Sequence, residues 1–116
     1  MLPAAKRVRQ KEDHVKIQRY GRRFQSDGLQ LQCLENNLEK TRAGFIVGIK
    51  FSKKAVERNA LKRKLREIFA TELKRIKPGM DILVSAKSKA SGQETSAQLK
   101  KTIAELLQKS GLVNKK

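Results

Sequence analysis

The stretch K-F-S-K-K-A-V-E-R-N-A-L-K-R-K-L-R-E, Lys50 to Glu67, decides how the rest of the chain is read. Leu61, Leu65, Ile68 and Phe69 recur at the spacing of one apolar stripe, which predicts a helix from about Lys53 to Leu73. Place Leu61 at zero on a wheel of about 100° per residue. Leu65, Ile68 and Phe69 then fall within roughly 80° of it, and Lys62, Arg66, Asn59 and Arg63 lie at about 100° to 200°. One side of the helix therefore faces a core while its neighbour presents three cations and an amide, with Arg58 at the boundary. A planar guanidinium fork and a mobile ammonium both suit a phosphate backbone. Ser52 is placed to cap the helix start. Lys50, Lys53 and Lys54 crowd the same end, where unpaired amides favour an anion. Cations there work against an isolated helix, so helix stabilisation does not explain them. The competing reading is an ordinary solvated charged face.

Downstream, Lys77-Pro78-Gly79 makes a turn, and Met80–Ala86 follows as a strand. Its consecutive Ile82, Leu83 and Val84 fit a central strand buried on both faces. Thr95 and Gln98 are spaced as a capping box for a last helix, whose stripe is Leu99, Ile103, Leu106 and Leu107 and whose end is marked by Gly111. Upstream, Phe45, Val47, Ile49 and Phe51 alternate in a strand over Ala43–Phe51 that also holds Gly44 and Gly48. Leu29, Leu31 and Cys33 alternate with Gln30 and Gln32 in another. The simplest pairing joins these two as a hairpin across the polar Asn36–Lys40 connection. Lys11 to Tyr20 fits a short helix supported by Val15 and Ile17 and stopped at Gly21. Residues 1–9 and 112–116 are expected to be flexible. The sum is an α+β fold, a sheet covered by helices in a single domain over residues 1–116.

Composition narrows the function. The 116 residues carry 28 Lys and Arg against 11 Asp and Glu, a net charge of +17. Such self-repulsion costs stability unless a polyanion neutralises it. Hydrophobic residues are still 38% of the chain, too many for a disordered basic tail, and aromatics are only 4%, too few for a broad base-stacking platform. One Cys and one His make neither a disulfide framework nor a zinc site. No apolar run suggests a membrane span or a signal peptide, so a cytoplasmic, nucleic-acid-binding protein is expected. His14 lacks a nucleophile or carboxylate that the sequence places beside it. Cys33 fits a small core residue better than a nucleophile, and Asp81 and Glu67 as single carboxylates do not make a two-metal site. No protein-borne catalytic or metal-ligating residue is expected.

The order S-K-K-A-V-x-R-N followed by K-R-x-x-R-E resembles the signature of the bacterial ribonuclease P protein subunit. The segments G-F-I-V-G-I-K, Gly44 to Lys50, and D-I-L-V-S-A, Asp81 to Ala86, extend the resemblance, which runs from the first helix through Gly111. It implies a four-stranded sheet in the order α-β-β-β-α-β-α, with a left-handed crossover about the middle helix against the usual preference. It implies a protein cofactor to a catalytic RNA that uses Mg2+ to remove the 5′ leader of precursor tRNA. No organic cofactor and no membrane would be involved, and the protein would be a monomer in a 1:1 complex with that RNA. The RNA-subunit contact falls on Lys50, Ser52, Lys53, Lys54, Arg58, Asn59, Lys62, Arg63 and Arg66. Many relatives carry S-K-K where this chain has Gly48-Ile49-Lys50, and commonly Arg where it has Ala60, so two polar or cationic contacts are missing. The aromatic positions of the leader groove fall on His14, Gln18 and Gln32, with Lys11, Lys16 and Arg19 as added cations. Weak stacking is therefore expected there, unless Phe24 or Tyr20 compensates. Without the motif, a ribosomal or other structured-RNA-binding protein would fit the size and charge nearly as well.

Overall fold

The computed structural model describes residues 11–26, 28–86 and 96–113. Its elements in chain order are α1 (Lys11–Tyr20), β1 (Arg22–Ser26), β2 (Leu29–Glu35), β3 (Arg42–Val47), α2 (Ala55–Glu72), β4 (Met80–Ala86) and α3 (Ser96–Lys109). The four strands form one mixed sheet in the order β1-β2-β4-β3. β4 is antiparallel to β2 and parallel to β3, so α2 is the crossover between two adjacent parallel strands.

The expected hairpin between β2 and β3 does not form, because β4 lies between them. Its apolar run explains why. Every residue of β4 is buried, and such a strand needs a neighbour on each side as well as cover on each face. β2 supplies one neighbour, in register Leu31↔Val84, and β3 the other, in register Phe45↔Val84. β2 pairs on its outer edge with β1, an edge strand that offers Arg22 and Arg23 and a single apolar residue, Phe24. β3 stops at Val47, short of the expected Phe51. The chain turns over Gly48–Phe51, where the Phe51 amide donates to the Gly48 carbonyl at 3.0 Å. Ile49 is therefore 70% exposed at the turn while Phe51 folds back into the core.

The two faces of the sheet are unequal. Leu29, Leu31 and Cys33 of β2, Ala43 and Val47 of β3, and Ile82 and Val84 of β4 share one core with α2 and α3. All four residues of the anticipated α2 stripe are buried there, as are Leu99, Ile103, Leu106 and Leu107 of α3. Phe45 and Phe69 meet edge to face, with ring centroids 5.3 Å apart. Among the described residues the other face carries only α1, whose Ile17 packs on Leu83 beside Leu34 and Ile46.

The end of α3 is closed at the glycine the sequence marks. Gly111 takes a positive φ of 75°, the Leu112 amide donates to the Leu107 carbonyl at 3.1 Å, and the Gly111 amide donates to Gln108. This is a Schellman cap, which turns the chain back onto the core. Leu112 and Val113 are consequently buried, and the Lys77 amide donates to the Leu112 carbonyl. Residues 1–9, Thr95 of the expected capping box, and 114–116 lie outside the described residues.

Gly21, between α1 and β1, is a close approach of backbones. A Cβ there would stand 2.5 Å from the Ile17 carbonyl oxygen and 3.0 Å from that of Cys33. Neither oxygen belongs to a side chain that can step aside. Gly21→Ala is expected to destabilise the fold by about 2 kcal/mol through overpacking, measured as a shift of the urea midpoint. A shift too small to resolve would show that α1 moves freely on the sheet.

Candidate nucleic-acid interface

The crossover helix carries the anticipated cationic flank. Leu61, Leu65, Ile68 and Phe69 face the sheet, Asn59 and Arg63 are exposed, and Lys62 and Arg66 are half-buried. Arg66 Nε is buried without a hydrogen-bond partner among the described residues. An orphaned donor of this kind costs about 1–3 kcal/mol, so the guanidinium gains from any rearrangement that offers it an acceptor.

Before α2, Lys50, Lys53 and Lys54 are all exposed. Ser52 sits differently from the sequence expectation. It is buried, and the helix N-cap is Lys54, which makes no side-chain cap. The Ser52 hydroxyl donates to the Glu57 carboxylate and accepts from the Lys54 amide at 3.1 Å. Arg58 then donates from Nη1 to the Ser52 carbonyl at 2.9 Å. Ser52 thus shapes the turn that displays the lysines and is not itself placed to touch a large ligand.

The α1 face is a polar surface. Because Phe24 packs toward α3, the alternation of β1 turns Arg23 and Gln25 to the α1 side. A chain of amides crosses from there: Gln25 donates to Gln30 at 3.2 Å, and Gln30 donates to Gln32 at 3.1 Å. Gln32 in turn donates to the Gln18 carbonyl at 3.3 Å. Gln32 is 1% exposed, so it fastens α1 to the sheet and is not an open groove residue. His14 is half-buried and Gln18 exposed, and both lie on one flank of α1. With Ile17 fixed against Leu83, Lys16 and Arg19 point to the outer and opposite sides, both exposed, and do not line that flank. The Lys11 side chain lies outside the described residues. Phe24 is committed to the opposite core, with the Arg22 guanidinium 5.7 Å from its ring centroid, so it does not supply stacking here. Among the described residues Arg23, exposed on the α1 side of β1, adds a cation to this face, on a strand that sequence reading passed over. The Asp27-Gly28 dipeptide, a strong hairpin signal, pointed to it.

At the far end, α1 is clasped by charge. Arg42 of β3 binds Asp81 of β4 through two hydrogen bonds, Nε to Oδ1 at 2.9 Å and Nη2 to Oδ2 at 2.6 Å. The same Nη2 lies 3.6 Å from the Asp13 carboxylate of α1. Asn36 donates a further bond to Asp81 Oδ1 at 2.8 Å. The hydrogen bond to Asp81 holds the Arg42 guanidinium above its ordinary pKa. Asp81 is therefore occupied as an anchor. Burial pushes the Cys33 thiol up from its ordinary value, more than neighbouring Arg22 pulls it down, which suits an inert core residue. The described residues contain no cluster of His, Cys, Asp and Glu able to hold a metal ion, and no helix among them is long and apolar enough to cross a membrane.

A basic helix flank opposite a one-helix polar sheet face is a specific arrangement, and the family model described as Ribonuclease P matches residues 2–111. The chain belongs to the ribonuclease P protein family. A protein from Pseudanabaena sp. (strain PCC 6903) called Ribonuclease P protein component is 40% identical over 108 residues, covering 90% of this chain and 93% of the relative. The solved RNase P protein of Staphylococcus aureus superposes with a TM-score of 0.83 at 25% identity, over 94% of this chain and 98% of that one. That of Thermotoga maritima, solved in complex with 1-(4-fluorophenyl)-2-thiourea, gives 0.79 at 32% identity over 87% and 96%. Family membership makes the chain a protein component of ribonuclease P, an enzyme of tRNA processing whose RNA subunit is its partner.

Proposed function

We propose that the protein binds the RNA subunit through the cationic flank of α2 and the turn before it, while the RNA carries out the cleavage. The observation that carries this reading is the division of α2. Its four apolar residues are spent on the core, and the adjoining side carries exposed Asn59 and Arg63 with half-buried Lys62 and Arg66. Lys50, Lys53, Lys54 and Arg58 continue that surface, with Ser52 holding their turn in shape. Mg2+ acts through the RNA, no organic cofactor takes part, and the protein works in the cytoplasm as one copy per RNA.

The 5′ leader of precursor tRNA runs along the flank of α1 that carries His14 and Gln18, with Arg23 as the nearby cation. Amides and phosphate contacts hold it there, with less base stacking than large aromatic residues would give. A ribosomal role does not account for the family match.

Reconstitution tests the proposal. The protein alone is expected to leave precursor tRNA uncut in Mg2+, and its complex with the RNA subunit to release the 5′ leader faster than that RNA alone at moderate salt. Efficient cleavage by the protein alone, or no stimulation in the complex, would overturn it.

A further inference from the structure

The aromatic residues divide unevenly. Phe51 and Phe69 are buried, Phe24 and Phe45 pack against the same core, and the chain has no Trp. Tyr20, the single tyrosine, is 66% exposed. It is the one described Phe or Tyr ring left in water, and the Arg19 guanidinium stands 6.0 Å from its centroid. Lys16 precedes Tyr20 by four residues and so neighbours it on the helix surface. A ring with one cation over it and a further cation at its edge is the arrangement in which a base stacks while its flanking phosphates are neutralised.

The position of this cluster decides its occupant. With Ile17 on the sheet, His14 and Gln18 lie on one flank of α1, whereas Tyr20 and Lys16 lie on the other and Arg19 faces outward. A leader running past His14 and Gln18 is on the wrong side of the helix ridge to reach the Tyr20 ring. The RNA that remains is the RNA subunit itself.

We propose that Tyr20, flanked by Lys16 and Arg19, is a stacking site for an unpaired nucleotide of the RNA subunit, separate from both the α2 contact and the leader path. It depends on the RNA subunit as partner and treats the leader only as a rival occupant.

The test uses the full chain and the RNA subunit without precursor tRNA. Tyr20→Leu is expected to weaken binding about tenfold, as for the loss of one stacked base. The slope of affinity against salt should stay unchanged, because stacking releases no counterions. Tyr20→Phe should bind like the parent, and Lys16→Gln should lower the slope. Tyr20→4-benzoylphenylalanine, irradiated in the complex, should crosslink to a nucleotide of the RNA subunit. Parent-like binding by Tyr20→Leu would overturn the proposal, as would crosslinks that appear only on the leader once precursor is added. The Tyr20 variants alter an exposed ring, so melting temperatures within about 2 °C of the parent are expected. If the parent chain fails to bind the RNA subunit at all, the α2 reading falls as well, and that outcome is distinct from a defect confined to Tyr20→Leu.

Discussion

Replacing Lys62, Arg63 and Arg66 together by Gln is expected to weaken binding to the RNA subunit on the order of a hundredfold at moderate salt. Each side chain stands on the flank of α2 that the core does not use. A hydrogen bond to a charged group is worth about 1.5–3 kcal/mol, and part of that survives in neighbouring Lys50, Lys53, Lys54 and Arg58. The salt dependence carries the sharper signature. Each phosphate neutralised contributes about 0.7–0.9 to the slope of log K against log salt, so three losses should flatten it by about 2 to 3 units. Because Lys62 and Arg66 are half-buried and such stems cover apolar surface, circular dichroism and a melting curve must accompany the titration. A folded triple variant with the parent's affinity and slope would remove this flank from the interface.

Arg42→Ala is expected to cost about 3 kcal/mol of stability, the lower end for breaking a buried ion pair by removing one partner. Asp81 is 6% exposed, and without Arg42 its carboxylate keeps the hydrogen bond from Asn36 but loses both bonds from the guanidinium. The penalty arises from the stranded carboxylate, which a double-mutant cycle separates from lost packing. Arg42→Ala with Asp81→Ala should be less destabilised than the two single changes summed, by more than about 1 kcal/mol. Arg42 also faces Asp13, so α1 amides should exchange faster with solvent in the Arg42 variant than β4 amides do. A loss below about 1 kcal/mol with no coupling would show that water already solvates the Asp81 carboxylate. For a small domain of marginal stability, the larger figure leaves little reserve at growth temperature.

Legibility followed the strength of each local pattern. The α2 stripe has the period of a helix over several turns, and all four of its residues are buried. Gly111 could be placed because a helix end that turns back needs a positive φ there. β4 declared itself central through three consecutive apolar residues, yet that reading contradicts a hairpin of β2 with β3, since a central strand must separate them. The hairpin reading let chain adjacency outweigh burial. β1 escaped because an edge strand covered on one side needs only one apolar residue, and its two arginines blunt the edge. In the candidate site, the α2 residues were legible because a helical wheel fixes their direction once the core side is known. The α1 residues were not. Lys16, Arg19 and Gln32 depend on where Ile17 lands, and only packing against Leu83 settles that. Ser52 has the chemistry of a cap, but its position in a turn before the helix is set by Gly48 and Phe51. The hand of the crossover leaves no trace in periodicity at all.

The place of β4 in the sheet governs the order in which this chain can be assembled. Only β1 and β2 can close as neighbours in sequence. β2 and β3 have no partner on their facing edges until Met80–Ala86 is available, and the whole of α2 precedes that strand in the chain. The nascent protein thus displays its basic helix before it owns a complete sheet, and during that interval two strand edges are open to wrong pairing. Long-range pairing of this kind folds slowly compared with local hairpins. A high positive charge on the unfinished chain works against self-association in that window, since like-charged copies repel. The same excess of lysine and arginine that suits the finished protein to RNA therefore keeps its copies apart while they fold.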